Sequence, residues 1–151
     1  MSERILMKHN LLEKIFLRDM IISDYDQVIA LWKRTSGLGL SGVDSLEGIG
    51  KFLERNPGLC FVCEKEKNIL GTILCGHDGR RGYIYHLAVD EKYRKRGIGR
   101  QLTELSLDAL RLLGIVKCHL FVYLNNNEAE LFYDRMGWQK RTTLDIFSKD
   151  V

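Results

Sequence analysis

The chain has 151 residues, enough for one domain that buries its own core without staples. Hydrophobic residues make up 45% and charged residues 28%, an ordinary globular balance that leaves no place for repeats or low-complexity tracts. The formal net charge is only +3, and no stretch approaches the roughly 20 apolar residues of a membrane span, so neither a nucleic-acid polycation nor a membrane protein is expected.

Residues 1–12 carry charges through every apolar run and read as an appendage rather than a signal peptide, with a single domain over 13–151. Lys14–Arg18 reads as a strand. Ser23 reads as the N-cap of a helix across Asp24–Arg34, with Val28, Ile29, Leu31 and Trp32 as its apolar stripe. After a Gly- and Ser-containing loop, a second helix over Asp44–Arg55 stops before Pro57. Strands follow at Gly58–Glu64, Asn68–Gly76 and Gly82–Val89, separated by polar turns. A helix over Ile98–Leu113 ends at Gly114, Val116–Tyr123 is an apolar strand, and a helix over Asn126–Met136 ends at Gly137. Trp138–Arg141 and Leu144–Phe147 read as a closing hairpin. The order predicts an α/β (α+β) fold: a mixed, mostly antiparallel twisted sheet with helices on both faces.

The most informative stretch runs from Val89 to Arg100, where a strand gives way to a helix. Lys92, Arg94, Lys95, Arg96 and Arg100 crowd around Gly97 and Gly99. Free backbone N–H groups and the positive end of the helix dipole meet there, and glycine lets an anion approach the backbone. Such a junction either cradles phosphate or simply starts a helix. It lacks the third glycine and the distant acid of a dinucleotide fingerprint and the Gly-Lys-Ser/Thr of a Walker loop.

Leu87-Ala88-Val89 followed by Arg94-x-x-Gly97-x-Gly99, and later Asn126-x-x-Ala129-x-x-x-Tyr133-x-x-x-Gly137-Trp138, resemble the two signatures of the GNAT N-acetyltransferases. The helix with Trp32 and the Asp78–Gly82 turn further resemble the small bacterial YpeA-type members. This resemblance implies a transferase that moves an acetyl group from acetyl-CoA, its co-substrate, to a primary amine by direct attack. It implies that main-chain groups of Leu87, Ala88 and Val89 pair with the pantetheine arm. It implies that the segment Arg94, Lys95, Arg96, Gly97, Ile98, Gly99 and Arg100 holds the pyrophosphate, and that Asn126, with Ala129 on its face, hydrogen-bonds the arm. Tyr133 is implied as a phenol near the thioester sulfur, donating a proton to the leaving thiolate. The partners expected are acetyl-CoA and an acceptor amine of a small molecule or peptide, with a homodimer left open.

The base is less defined. Histone and serotonin acetyltransferases of the superfamily place Glu or His where this chain has Tyr83 and Tyr85. Alternation puts Tyr83, Tyr85 and Leu87 on one face, read as the cleft, and turns His86 the other way beneath a helix as a packed histidine. Ordered water lined by Tyr83, Tyr85 and His77 is the expected proton route, with loop 35–43 and the second helix lining the acceptor pocket. Phe121 stands where ribosomal-protein alanine acetyltransferases carry Glu, which argues against that chemistry. Cys60-x-x-Cys63 has zinc-like spacing but no second ligand pair, so both read as buried thiols on opposite strand faces and no metal is expected. Cys60, Cys63, Cys75 and Cys118 read as reduced thiols of a cytoplasmic protein. His119 reads as structural. The alternatives weighed are an acetyl-CoA-binding module without catalysis and a nucleic-acid binder using the 92–100 cluster, which lacks interleaved aromatics beyond Tyr93.

Overall fold

A computed structural model describes residues 14–151 and the backbone of Ile5 and Leu6. The chain divides into two compact units, residues 1–121 and 122–151. In the first unit the order is β1 (Ile5–Leu6), β2 (Ile15–Asp19), α1 (Tyr25–Lys33), α2 (Leu46–Arg55), β3 (Phe61–Lys65), β4 (Asn68–His77), β5 (Gly82–Val89), α3 (Ile98–Leu112) and β6 (Cys118–Leu120). The six strands form one sheet in chain order, antiparallel except where β6 runs parallel to β5. The expected appendage thus supplies a strand: Ile5 and Leu6 pair with Leu17 and Phe16. The rest of it, His9 included, lies outside the described residues.

The two sheet faces are assigned by what their side chains meet. Val62, Leu74 and Ala88 pack with Val28, Leu31 and Trp32 of α1 and Ile49 of α2. The opposite face carries α3. There Gly71 leaves room for Ile98 and Leu102, since a Cβ at Gly71 would stand 3.1 Å from each. Gly82 is closed off by Leu110 in the same way.

Helix α1 begins later than expected. Ser23 lies inside a 3-10 turn, Ile22–Asp24, and does not cap the helix. Asp24 organises that turn: its carboxylate accepts the N–H of Ile21 at 3.0 Å and both terminal nitrogens of Arg18 at 2.8 Å. Arg18 also donates to Glu64 at 3.0 Å, and the two carboxylates hold its guanidinium protonated beyond its ordinary range. Helix α2 is capped by Ser45, whose hydroxyl accepts the N–H of Gly48 at 3.1 Å.

The irregular point of the sheet is in β5. Tyr85 pairs with Leu74 and Ala88 with Thr72, so two residues, His86 and Leu87, stand opposite Ile73 alone. This is a β-bulge, and His86 takes φ +49, a left-handed backbone uncommon for any residue but glycine. Alternation along β5 therefore breaks. Ala88, not Leu87, continues the face of Tyr83 and Tyr85. His86 is beneath a helix as expected, but on the same side as the two tyrosines, its ring 4.6 Å from Trp32.

Polar contacts hold the bulge. The Thr72 hydroxyl donates to the His86 carbonyl at 3.0 Å and accepts from the Trp32 indole N–H at 2.8 Å. His86 Nε2 meets Asp44 Oδ1 at 2.6 Å, and Asp44 Oδ2 accepts the N–H of Ser41 at 2.9 Å. The Tyr25 hydroxyl donates to the Asp44 carbonyl at 2.7 Å. Trp32 and Thr72 are fully buried, so each of their polar groups must be satisfied inside the protein.

In the second unit, α4 (Asn127–Arg135) is the regular element. The expected hairpin at 138–147 is not formed, and the strand expected at Val116–Tyr123 shortens to β6. Leu144, Ile146 and Phe147 are exposed. Their strand-like alternation expresses a fit to a half-buried pleated surface, and alternation alone supplies no ladder partner.

Thr72→Val keeps the volume and removes the hydroxyl that serves Trp32 and His86. It is expected to cost about 1–3 kcal/mol in urea unfolding, because it strands a buried N–H and a carbonyl. Unchanged stability would show that the bulge is held by packing alone.

Candidate active site

The segment joining β5 to α3 is built to present backbone. Asp90 caps a 3-10 turn, Glu91–Tyr93, by accepting the N–H of Lys92 at 3.0 Å, and Arg34 anchors the same carboxylate at 2.9 Å. Against the cost of partial burial, Arg34 and the Lys92 N–H hold the Asp90 carboxyl below its usual range. Arg94 Nε donates to the Val89 carbonyl at 3.0 Å, which folds the loop back on the end of β5. Lys95 and Gly97 both take left-handed backbone, φ +60 and +83.

Gly97 is the N-cap of α3, and no side chain caps this turn. The first-turn N–H groups of Ile98, Gly99 and Arg100 have no intrahelical acceptor. A Cβ at Gly97 would meet nothing within 4 Å, so the backbone there borders open space and the glycine is required for its φ. Lys95, Arg96 and Arg100 are exposed around this turn, and the Arg96 guanidinium lies 5.1 Å over the Tyr93 ring. Ile98 points the other way, into the core against Gly71. The donor set fits the diphosphate of a coenzyme A molecule: main-chain N–H groups, a helix dipole and cationic side chains.

Strand β5 is paired with β6 only from Gly82 to Ile84. Beyond that point, Tyr85, His86, Leu87, Ala88 and Val89 have no strand partner on the β6 side among the described residues. Ala88 is buried in the α1-side core, while Leu87 and Val89 are partly open.

On the α1 side of the sheet, Tyr83 and Tyr85 line a groove of about 290 Å³ with Phe52, Arg55 and Asn56 from the end of α2 and Gly76, His77 and Asp78 from the end of β4. Of the two elements expected to line an acceptor pocket, α2 contributes to this groove and loop 35–43 does not. Phe52 meets Tyr85 edge-on, ring centres 6.2 Å apart. Asn56 is buried: its Nδ2 donates to the Phe52 carbonyl at 3.0 Å and its Oδ1 accepts the N–H of His77 at 3.4 Å. Gly76 makes room for it, since a Cβ there would stand 3.0 Å from the Asn56 amide. Burial pushes the Tyr85 hydroxyl above the ordinary phenol range, so it stays protonated at neutral pH. His77 Nδ1 accepts the N–H of Gly79 at 3.0 Å, which ties the ring to the β4–β5 turn.

The second unit explains its own motif. Asn126 Oδ1 accepts the N–H of Ala129 at 3.2 Å and so caps α4. At the other end Gly137, at φ +86, donates to Asp134 at 2.9 Å and Trp138 N–H donates to Tyr133 carbonyl at 3.0 Å. This is a Schellman closure, and its accompanying apolar contact is the Tyr133 and Trp138 rings at 5.6 Å. The spacing from Tyr133 to Gly137-Trp138 is thus a helix stop that fixes the tyrosine's ring.

Cys60 packs in the α1-side core and Cys63 pairs with Gly71 on the α3 side, the opposite-face placement expected of them. Burial raises these thiols to about 11 and about 12. Phe52, Arg55, Asn56 and Asp44 were not visible as site residues in the sequence. A basic residue in a last helical turn and an amide before proline are too common to single out.

The GNAT acetyltransferase family model matches residues 32–138. The chain is 33% identical over 137 residues to acetyltransferase plu1384 of Photorhabdus laumondii, covering 90% of this chain and 92% of that protein. It is 31% identical over 126 residues to acetyltransferase ECA0875 of Pectobacterium atrosepticum, covering 83% and 86%. The fold is similar to the PaiA N-acetyltransferase of Thermoplasma acidophilum solved with coenzyme A (TM-score 0.77, 18% identity, 85% of this chain and 92% of that one). It is also similar to the ribosomal-protein-S18-alanine N-acetyltransferase of Escherichia coli (TM-score 0.71, 20% identity, 85% and 79%). With its two glycine-centred motifs and this breadth of match, the chain belongs to the GNAT family and is an acetyl-CoA-dependent N-acetyltransferase.

Proposed function

We propose that the protein acetylates the primary amine of a small molecule or peptide by direct attack within a ternary complex. The observation that carries this reading is the groove beside the β5 bulge: the acceptor side opens over Tyr83 and Tyr85 just where the unpaired edge of β5 begins. On this reading the N–H groups from Arg96 to Arg100 hold the pyrophosphate, with Arg94 and Lys95 shaping and charging the loop. Main-chain groups of Leu87, Ala88 and Val89 take the pantetheine arm as an added strand. Asn126, having capped α4 through Oδ1, offers its Nδ2 to the arm. Four free cysteines, three of them buried, support a reducing, cytoplasmic setting.

The chemistry balances simply. The neutral amine nitrogen bonds to the thioester carbonyl carbon, the carbon–sulfur bond breaks, and the nitrogen sheds one proton. The thiolate gains one, from Tyr133 in this reading, and the phenolate is reprotonated by solvent. Tyr85, kept protonated by burial, positions water and amine together with Tyr83 and His77. Two backbone N–H groups, of Arg81 and Arg80, hold the Asp78 carboxyl below its usual range, making it a poor base.

The proton therefore leaves to water, and the rising limb of kcat/KM with pH belongs to the acceptor. Two acceptors differing in amine pKa should show limbs displaced by that same difference, the less basic amine reacting at lower pH. A limb at one pH for both would reveal a base on the protein.

Tyr133→Phe keeps the ring that packs on Trp138 and is expected to lower turnover by about 10–10³-fold with little change in acetyl-CoA affinity. Turnover at the wild-type rate would make the tyrosine structural.

Gly97→Glu or Gly99→Glu is expected to abolish coenzyme A binding in calorimetry. The first forces a side chain onto a left-handed residue, and both put a carboxylate where the diphosphate is proposed. Unchanged binding would move the site elsewhere.

A further inference from the structure

The groove also limits what the acceptor can be. Its two charged side chains, Arg55 and Asp78, differ in how far the protein already satisfies them. Asp78 Oδ1 accepts the N–H of Arg80 at 2.7 Å and of Arg81 at 2.8 Å, closing the β4–β5 turn. Its Oδ1 is engaged by its own hairpin, and the carboxylate keeps its charge. Arg55 is the last residue of α2 and is exposed at the groove, and it forms no ion pair or side-chain hydrogen bond with any described residue. Asn56 next to it is buried, its amide turned to the Phe52 carbonyl and the His77 N–H. His77 lines the same space, its Nδ1 accepting the N–H of Gly79. The polar part of the groove therefore offers the Arg55 guanidinium, which has no partner among the described residues, beside an Asp78 carboxylate already engaged by its turn. Its walls are the faces and edges of Phe52, Tyr83 and Tyr85.

We infer that the acceptor is a small primary amine that carries a carboxylate on a flat or apolar body, an aromatic amino acid in chemical class, with Arg55 taking the carboxylate. A guanidinium matches a carboxylate through two parallel N–H donors, and the aromatic walls pack a ring. A volume of about 290 Å³ suits a molecule of that size rather than a folded protein surface. The inference rests on the acetyl-transfer reading of this groove.

The test compares phenylalanine with phenethylamine, which share the ring and the amine and differ by the carboxylate. Phosphoethanolamine and spermidine complete the panel as an anionic amine without a ring and a polycation. Turnover is read as release of coenzyme A thiol. Binding is read separately, by calorimetry of N-acetylphenylalanine and N-acetylphenethylamine on the coenzyme-A-saturated protein. Phenylalanine is expected to exceed phenethylamine by about 10–100-fold in kcat/KM, the usual size of a charge-assisted hydrogen bond. The acetylated products should differ in affinity in the same sense. Arg55→Gln should bring both ratios near unity while coenzyme A affinity and melting temperature stay unchanged, which separates lost recognition from lost folding. Phosphoethanolamine preferred over phenylalanine would replace the carboxylate by phosphate and remove the ring, and overturns the inference. So do a preference for spermidine or phenethylamine, a ratio that survives Arg55→Gln, and the absence of product binding. Arg55-dependent product binding without turnover of any amine would uphold the anionic ligand and overturn the acetyl-transfer reading instead.

Discussion

The structure turns on one backbone irregularity, the bulge that places two residues of β5 opposite one of β4. A non-glycine residue in the left-handed region is costly, and His86 is kept there by contacts made from outside its own strand. Thr72 holds its carbonyl, Trp32 its ring face and Asp44 its Nε2. Because the Thr72 hydroxyl also accepts from Trp32, helix α1, strand β4 and strand β5 share one oxygen atom as a hub. Asp44 brings in the turn before α2. The segment that carries Phe52, Arg55 and Asn56 is thereby tied to the bulge it faces.

Two consequences follow for the site. From Gly82 to Ile84, β5 is an inner strand paired on both sides, and Tyr83 and Tyr85 line the groove. From Tyr85 on, β5 keeps β4 but has no strand partner on its other edge among the described residues, and the chain runs on into the basic turn that opens α3. One strand thus joins the groove lined by Tyr83 and Tyr85 to an edge with no strand partner among the described residues, and then to the basic turn. The groove offers phenols and an imidazole, and the turn offers N–H groups and cations. That division suits a reaction in which positioning and electrostatics do most of the catalysis and a strong side-chain base is not required.

The legible parts of the site in the sequence were those fixed by local geometry. Gly97 at a strand-to-helix junction and Gly137 at a helix end are both left-handed positions, where residue type and backbone are tightly linked. The tyrosine spacing in α4 is likewise local, because a Schellman stop joins residues five apart. The bulge is not local. His86 is set by Thr72 and Asp44, 14 and 42 residues away, so strict alternation misassigned Leu87 and the side on which His86 lies. Ser23 was misread for the same reason, since Arg18 draws Asp24 into the turn that precedes the helix. The closing hairpin at 138–147 rested on alternation alone, and no ladder is present there.

We propose that the edge of β5 beyond Ile84, which has no strand partner among the described residues, receives the acyl arm beside the bulge. A crystal structure of the protein with coenzyme A tests this most directly. Expected are an unchanged bulge at His86, main-chain hydrogen bonds from the arm along Leu87–Val89, and the diphosphate against the N–H groups of 96–100. A β5 that straightens at His86, or an arm bound away from that edge, would contradict it.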